Sequence, residues 1–266
     1  MRFPRLMAIF VGFSFLLTGT AHATAPDPAP GARYPIRDTA LTKNKLYRSG
    51  ELEASECPER ELQARSVTSA KRYLTSVLTC LNASWGAHFK QAGMSFAKSR
   101  ITFGTDPRRF CGFKWGKSSA AQYCGRERRF LVKLDKATLA DPSDLFLFAV
   151  AAHEYGHHIQ TITGMERAFD HYPYKGKREL GEQFRRYELQ AECLAGVFMG
   201  SVWDSLDRTE EDWDFLLELT RYSGDEEHKA SDHGKGRTIA AWLDKGFRAA
   251  SPAACNTWTV PSSKVR

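Results

Sequence analysis

Beyond its first two dozen residues, this chain has no apolar run long enough to cross a bilayer, so stable membrane insertion is not expected. It has no internal repeat, which excludes solenoid and propeller architectures. None of its six cysteines is spaced as CxxC, which argues against a cysteine-built structural metal site. It also lacks any nucleic-acid-binding motif. The formal charge is +7, but the basic clusters Arg108-Arg109, Arg126 to Arg129, Lys175 to Arg178 and Arg185-Arg186 are short, scattered and interrupted by acids. Such a distribution fits attraction to an anionic envelope surface at most, and no nucleic-acid partner is expected.

The N-terminus reads as an export signal. Arg2 and Arg5 precede an apolar segment from Leu6 to Leu17, and Ala21-His22-Ala23 offers small residues for cleavage. Cleavage after Ala23 would remove two arginines and no acids, leaving the exported protein still basic. All six cysteines lie beyond that point, and an even number in an oxidising compartment points to disulfides. The expected location is secreted or otherwise extracytoplasmic.

Residues 24–56 contain Pro26, Pro28, Pro30, Gly31 and Pro35 with few large apolar groups, and read as an extended lead-in. From Pro58 to Gln91 the pattern is helical, with Val67, Leu74, Val77, Leu78 and Leu81 at helical spacing. Arg100 to Phe103 reads as a short strand. Phe130 to Leu134 alternates apolar and basic residues, as an exposed edge strand does. Thr209-Glu210-Glu211-Asp212 signals another helix start, and a last helix follows Asp232-His233-Gly234. The whole describes one α+β domain over residues 57–266, rich in helix and with a small sheet.

The chemistry lies in His153-Glu154-Tyr155-Gly156-His157. Residues four apart on a helix differ by about 40° around its axis, so both imidazoles project from one face. Zinc held by two such nitrogens needs a third protein ligand and one open position for water. Glu154, next to the first histidine, is placed to act on that water as a general base. The apolar run Leu145 to Ala152 places the motif on an internal helix, with Asp141-Pro142 as its expected start and Gly164 as its stop. About thirty residues on, Glu188-Leu189-Gln190-Ala191-Glu192 sets two carboxylates four apart on an expected helix from about Lys177 to Trp203. The simplest assignment makes Glu188 the third ligand and Glu192 the acceptor for a ligand histidine's free ring N–H. Ala191, Ala195 and Gly196 are small enough to let the two helices approach closely. His158 and Gln160 read as supporting or surface groups.

The wording of these segments resembles the bacterial neutral zinc metallopeptidases. Ala152 to Gln160 matches the signature AHExGHHxQ, and Glu188 to Phe198 is similar to the family's ELQADCxAGVx. Cys111-Gly112, Gln122-Tyr123-Cys124 and Arg129 to Asp135 resemble its CG, FYC and VYLD series. His233-Gly234 with Trp242, Gly246 and Phe247 is a weaker match. The resemblance spans roughly Leu81 to Phe247. It implies a zincin-like domain with a gluzincin-like ligand set, namely one zinc per chain on His153, His157 and Glu188, Glu154 as base, and a peptide or protein substrate. His233 is the candidate hydrogen-bond donor to the oxyanion, with Tyr155, Tyr187 and Tyr222 as alternatives. The chain departs from the family at Glu192, where the pattern has Asp. The extra methylene moves the carboxylate by about 1.5 Å, so its histidine contact is expected to be rearranged or water-mediated.

Six cysteines allow 15 pairings. The favoured set is Cys57–Cys80, Cys111–Cys124 and Cys193–Cys255. The middle pair closes a short loop and is also carried by the resembling family. Two other functions remain open on sequence: an exported zinc-binding protein without turnover, and a zinc amidase acting on a non-protein amide.

Overall fold

A computed structural model describes residues 33–116, 119–140, 143–228 and 232–266. The expected export signal lies outside these residues, as do Asp141 and Pro142. In chain order the helices are α1 (Thr39–Thr42), α2 (Val67–Gln91), α3 (Lys136–Ala140), α4 (Asp144–Ile162), α5 (Met165–Asp170), α6 (Lys177–Val202), α7 (Glu210–Arg221), α8 (Asp225–His228) and α9 (Gly236–Ala249). The strands are β1 (Arg100–Gly104), β2 (Arg109–Phe110), β3 (Phe113–Lys114), β4 (Ala121–Cys124) and β5 (Arg129–Lys133). This is the helix-rich α+β domain with a small sheet and three disulfides that the sequence implies.

The core is built by α4 and α6, flanked by α2 and α9. α2 starts at Val67, with Ser66 capping it through the Ser69 N–H, so residues 58–65 are not helical. Ser143 caps α4 by accepting from Phe146 N–H. Thr209 and Asp212 form a reciprocal capping box at the start of α7, as its sequence pattern foretells. Phe148 of α4 stacks on Phe198 of α6, centroid to centroid 5.7 Å. A Cβ on Gly156 would lie 2.5 Å from the Ala191 carbonyl oxygen, so only glycine admits α6 at this point. Gly196 serves a different contact, because its missing side chain makes room for Leu243 of α9.

Two further expectations are overturned here. β5 is not an edge strand but the middle one, in the order β1-β5-β4, parallel to β1 and antiparallel to β4. Its alternation reflects two unlike faces: Phe130 and Val132 enter the core, while Arg129 stacks on the Phe110 ring of the β2–β3 hairpin. The edge strand towards α4 is β4. Likewise, the later part of the lead-in is not extended. Leu41 and Leu46 are fully buried in the main core, Asp38 caps α1, and Leu52 N–H donates to Ala250 O at 2.7 Å.

The disulfides tie peripheral segments to this frame. Cys57–Cys80 holds the segment before α2 to α2, and Cys111–Cys124 holds the hairpin to the end of β4. Cys193–Cys255 fastens the C-terminal segment to α6. A second clasp lies alongside, where fully buried Arg186 donates to Glu182 and to the carbonyls of Thr257 and Val260. None of the described helices is long and apolar enough to cross a membrane.

Candidate metal centre

α4 presents His153, Glu154 and His157 toward α6, which presents Glu188 and Glu192. One donor atom each from His153, His157 and Glu188 lies within 4.8 Å of the others. Glu188 Oε2 stands 3.4 Å from His153 Nε2 and 3.2 Å from His157 Nε2. The two imidazoles meet edge to face at 4.9 Å, so their Nε2 atoms converge without stacking.

Both rings are anchored through their other nitrogen. His153 Nδ1 donates to Glu192 Oε2 at 2.7 Å, and His157 Nδ1 donates to Gln160 Oε1 at 2.8 Å. With the proton held at Nδ1, the Nε2 lone pair is free to face a cation. The Glu192 contact is direct, so of the two contacts expected from its extra methylene the water-mediated one is not formed. The longer side chain is accommodated without an intermediary. Gln160 is more than the bland residue its sequence suggests. Its amide nitrogen donates to Tyr187 O and to Gln190 Oε1. Gln190 in turn donates to Tyr47 Oη and Cys255 O and accepts from Trp258 Nε1. A buried amide chain thus links His157 to both flanking segments.

The electrostatics match a cation site. Burial opposes charging of His153, but hydrogen bonds to Glu188 and Glu192 hold its protonation well above the usual imidazole range. Burial likewise opposes charging of Glu188, yet the neighbouring histidines keep its carboxyl well below the ordinary range. Positive charge is therefore favoured among these atoms, and a divalent ion competes with protons for them. Glu154 differs. Its carboxyl is buried, burial raises its pKa, and Oε2 has no hydrogen-bond partner among the described residues. A buried carboxylate oxygen without a partner is costly, and next to two nitrogens and a carboxylate it fits a site that also receives a metal and water. Two imidazoles and one carboxylate form a donor set that suits zinc.

His233 reaches the same place from the loop before α9. Its Nε2 lies 3.6 Å from Glu188 Oε2, and its Nδ1 is held by Asp232 Oδ1 at 2.9 Å. Burial pulls its pKa down, but Asp232 and Glu188 more than reverse this, and it is pushed up to about 9. Asp232 is the partner that sequence reading passed over, its only signal being adjacency to His233. The alternatives are placed differently. Tyr155 is fully buried and donates to Asn82 Oδ1, Tyr187 stacks flat on the His157 ring, and Tyr222 is exposed. His158 belongs to neither metal nor surface. It is fully buried, with Nε2 donating to Ala97 O and Nδ1 facing Tyr123 Oη, and burial pushes its pKa down to about 4. It locks α4 to the sheet as a neutral ring.

A model of the family described as "Putative neutral zinc metallopeptidase" matches residues 38–258. Two similar curated proteins are both named "Uncharacterized protein YpfJ", from Escherichia coli strain K12 and from Escherichia coli O6:H1 strain CFT073. Each is 25% identical over 207 residues, covering 71% of this chain and 71% of its own length. No solved structure matches. The matched region contains both helices of the centre, and the chain belongs to the neutral zinc metallopeptidase family.

Proposed function

We propose that this protein is a zinc-dependent peptidase acting outside the cytoplasm, with one zinc held by His153, His157 and Glu188. The observation that carries the reading is the convergence of three donor atoms, both imidazoles already anchored at Nδ1, beside a buried Glu154 oxygen without a partner. When bound, zinc supplies Lewis acidity, which acidifies water and favours negative charge on a carbonyl oxygen. Glu154 then takes the proton of the attacking water and passes it to the leaving nitrogen. Burial suits it to this exchange by raising its affinity for the proton. His233 donates from Nε2 to the oxyanion, while Asp232 keeps the ring oriented through Nδ1. Glu192 and Gln160 position the ligand rings and do not touch the substrate.

The open edge of β4 receives an extended substrate. Lys133 N–H donates to Ala120 O, so the alternating antiparallel ladder turns the main-chain groups of Ala121 and Tyr123 away from β5. A peptide added there as a further strand is held by main-chain hydrogen bonds beside α4. Three disulfides favour an oxidising compartment. The reading without turnover drew on Glu192 alone, and the direct bond from His153 to Glu192 removes that support. The test is digestion of a peptide library by purified protein, with and without chelator, alongside metal analysis. Chelator-sensitive cleavage at one zinc per chain is expected, and cleavage that survives metal removal would overturn the reading.

A further inference from the structure

Resting on the peptidase reading, we propose that the protein selects peptides with acidic residues two to three positions upstream of the cleaved bond, through a cationic cleft at the end of β4. The cleft, about 640 Å³, is lined by Lys98, Arg100, Arg126 and Arg128 together with Gly125, Glu127 and Thr161. Its place in the fold ties it to the substrate path. Gly125 directly follows the last residue of β4, and Thr161 stands one turn beyond His157 on α4. At 1.5 Å per residue, Thr161 is about 6 Å along the helix from His157, roughly the span of two residues of extended chain.

The charge balance favours an anion. Lys98, Arg100, Arg126 and Arg128 outnumber the carboxylates at its border, Glu127, which is paired with Arg129, and Glu166, which lies against Gly125 and accepts from the Thr161 hydroxyl but keeps its charge. Arg100 and Arg126 donate to the carbonyls of Glu127 and Cys111, contacts that fix the guanidinium groups without neutralising them. Lys98 and Arg128 are exposed. Arg128 holds a left-handed backbone, φ 45°, which is strained for any residue with a side chain. Its carbonyl accepts from Arg100 N–H, and its own N–H donates to Gly125 O, so the strained turn is built into the junction between β4 and β5.

The direction of the peptide follows from the ladder. Antiparallel pairing is the more stable arrangement, and it runs a substrate from the Cys124 end of β4 towards the Ala121 end. Residues N-terminal to the cut then lie at the cleft, where an acidic side chain meets cations and a basic one meets repulsion.

Two measurements test this. Peptides carrying a Glu-Glu or a Lys-Lys pair before a neutral apolar stretch are bound to the zinc-loaded Glu154→Gln protein and followed by fluorescence anisotropy. The Glu-Glu peptide should bind about fivefold more tightly at low salt, with the gap shrinking as salt rises. Lys98→Glu/Arg128→Glu should reverse the order, and Lys98→Glu alone, in an exposed coil position, should narrow it should the double variant fail to fold. In parallel, the library digest by wild-type protein should show acidic residues enriched upstream of the cut. Chelator-sensitive cleavage with no upstream acidic enrichment, and equal binding of the two peptides, would overturn the inference while leaving the peptidase reading intact. Charge-selective binding that the variants reverse, with no peptide cleaved at all, would sustain the cleft and overturn the peptidase reading instead.

Discussion

The α4–α6 centre and the loop bearing His233 meet at one carboxylate oxygen but are built on opposite principles. In the centre His153 and His157 are buried or nearly so, and each is gripped at Nδ1 by a side chain from a packed helix, Glu192 for His153 and Gln160 for His157. His233 is half exposed; its ring is held at Nδ1 by Asp232, its half-exposed neighbour in sequence, and its backbone N–H donates to Asp225. The difference separates two tasks. Holding a cation rewards rigid, pre-formed donors, whereas stabilising a transient oxyanion can be left to a group on a loop that substrate must pass.

The largest expected effect lies in the centre. Glu154→Gln should lower kcat by about a thousandfold while zinc content stays at one per chain, because the base is lost but no ligand is. Comparable activity in the variant would show that another group moves the proton. Next, His233→Ala should cost about a hundredfold in kcat with zinc affinity unchanged, by steady-state kinetics and metal titration. Glu192→Gln should do the reverse, weakening zinc binding by about tenfold through a poorer brace on His153. If His233→Ala released zinc as readily as Glu192→Gln, the two regions would not be separate devices. The smallest effect is expected far from both. Asp135 caps α3 by accepting from Thr138 N–H, and that bond above all holds its carboxyl at about 2, below its ordinary 3.8. Since the folded value is depressed, the stabilisation is present above the ordinary value and is lost as pH falls through the folded one. Asp135→Ala should therefore cost about 1 kcal/mol at neutral pH in a denaturant titration, and the gap to wild type should close in strong acid.

Legibility in the sequence follows the range of each interaction. His153, Glu154, His157 and Glu188 were readable because helical spacing alone puts them on the right faces. The capping box of Thr209 and Asp212 was readable because it is complete within four residues. β5 misled because alternation reports that a strand has two different faces, not whether it has neighbours on both sides. Leu41 and Leu46 were passed over because a proline-rich approach says nothing about leucines buried by contacts more than a hundred residues away in sequence. Gln160 and Gln190 carry no local mark at all. An amide looks the same in a surface helix as in a buried chain of hydrogen bonds, and only the approach of α4 to α6 makes them consequential.

The buried clasp on Arg186 has an implication for when the protein becomes competent. Its guanidinium is satisfied by carbonyls of a segment made 71 residues or more after it. Until those residues have been synthesised, a cation at the heart of α6 has no full set of acceptors and must stay in water. Glu188, one of the three converging donors, is only two residues further along the same helix. The α6 face that carries Glu188 is thus ordered together with residues 257–260, far behind it in the order of synthesis.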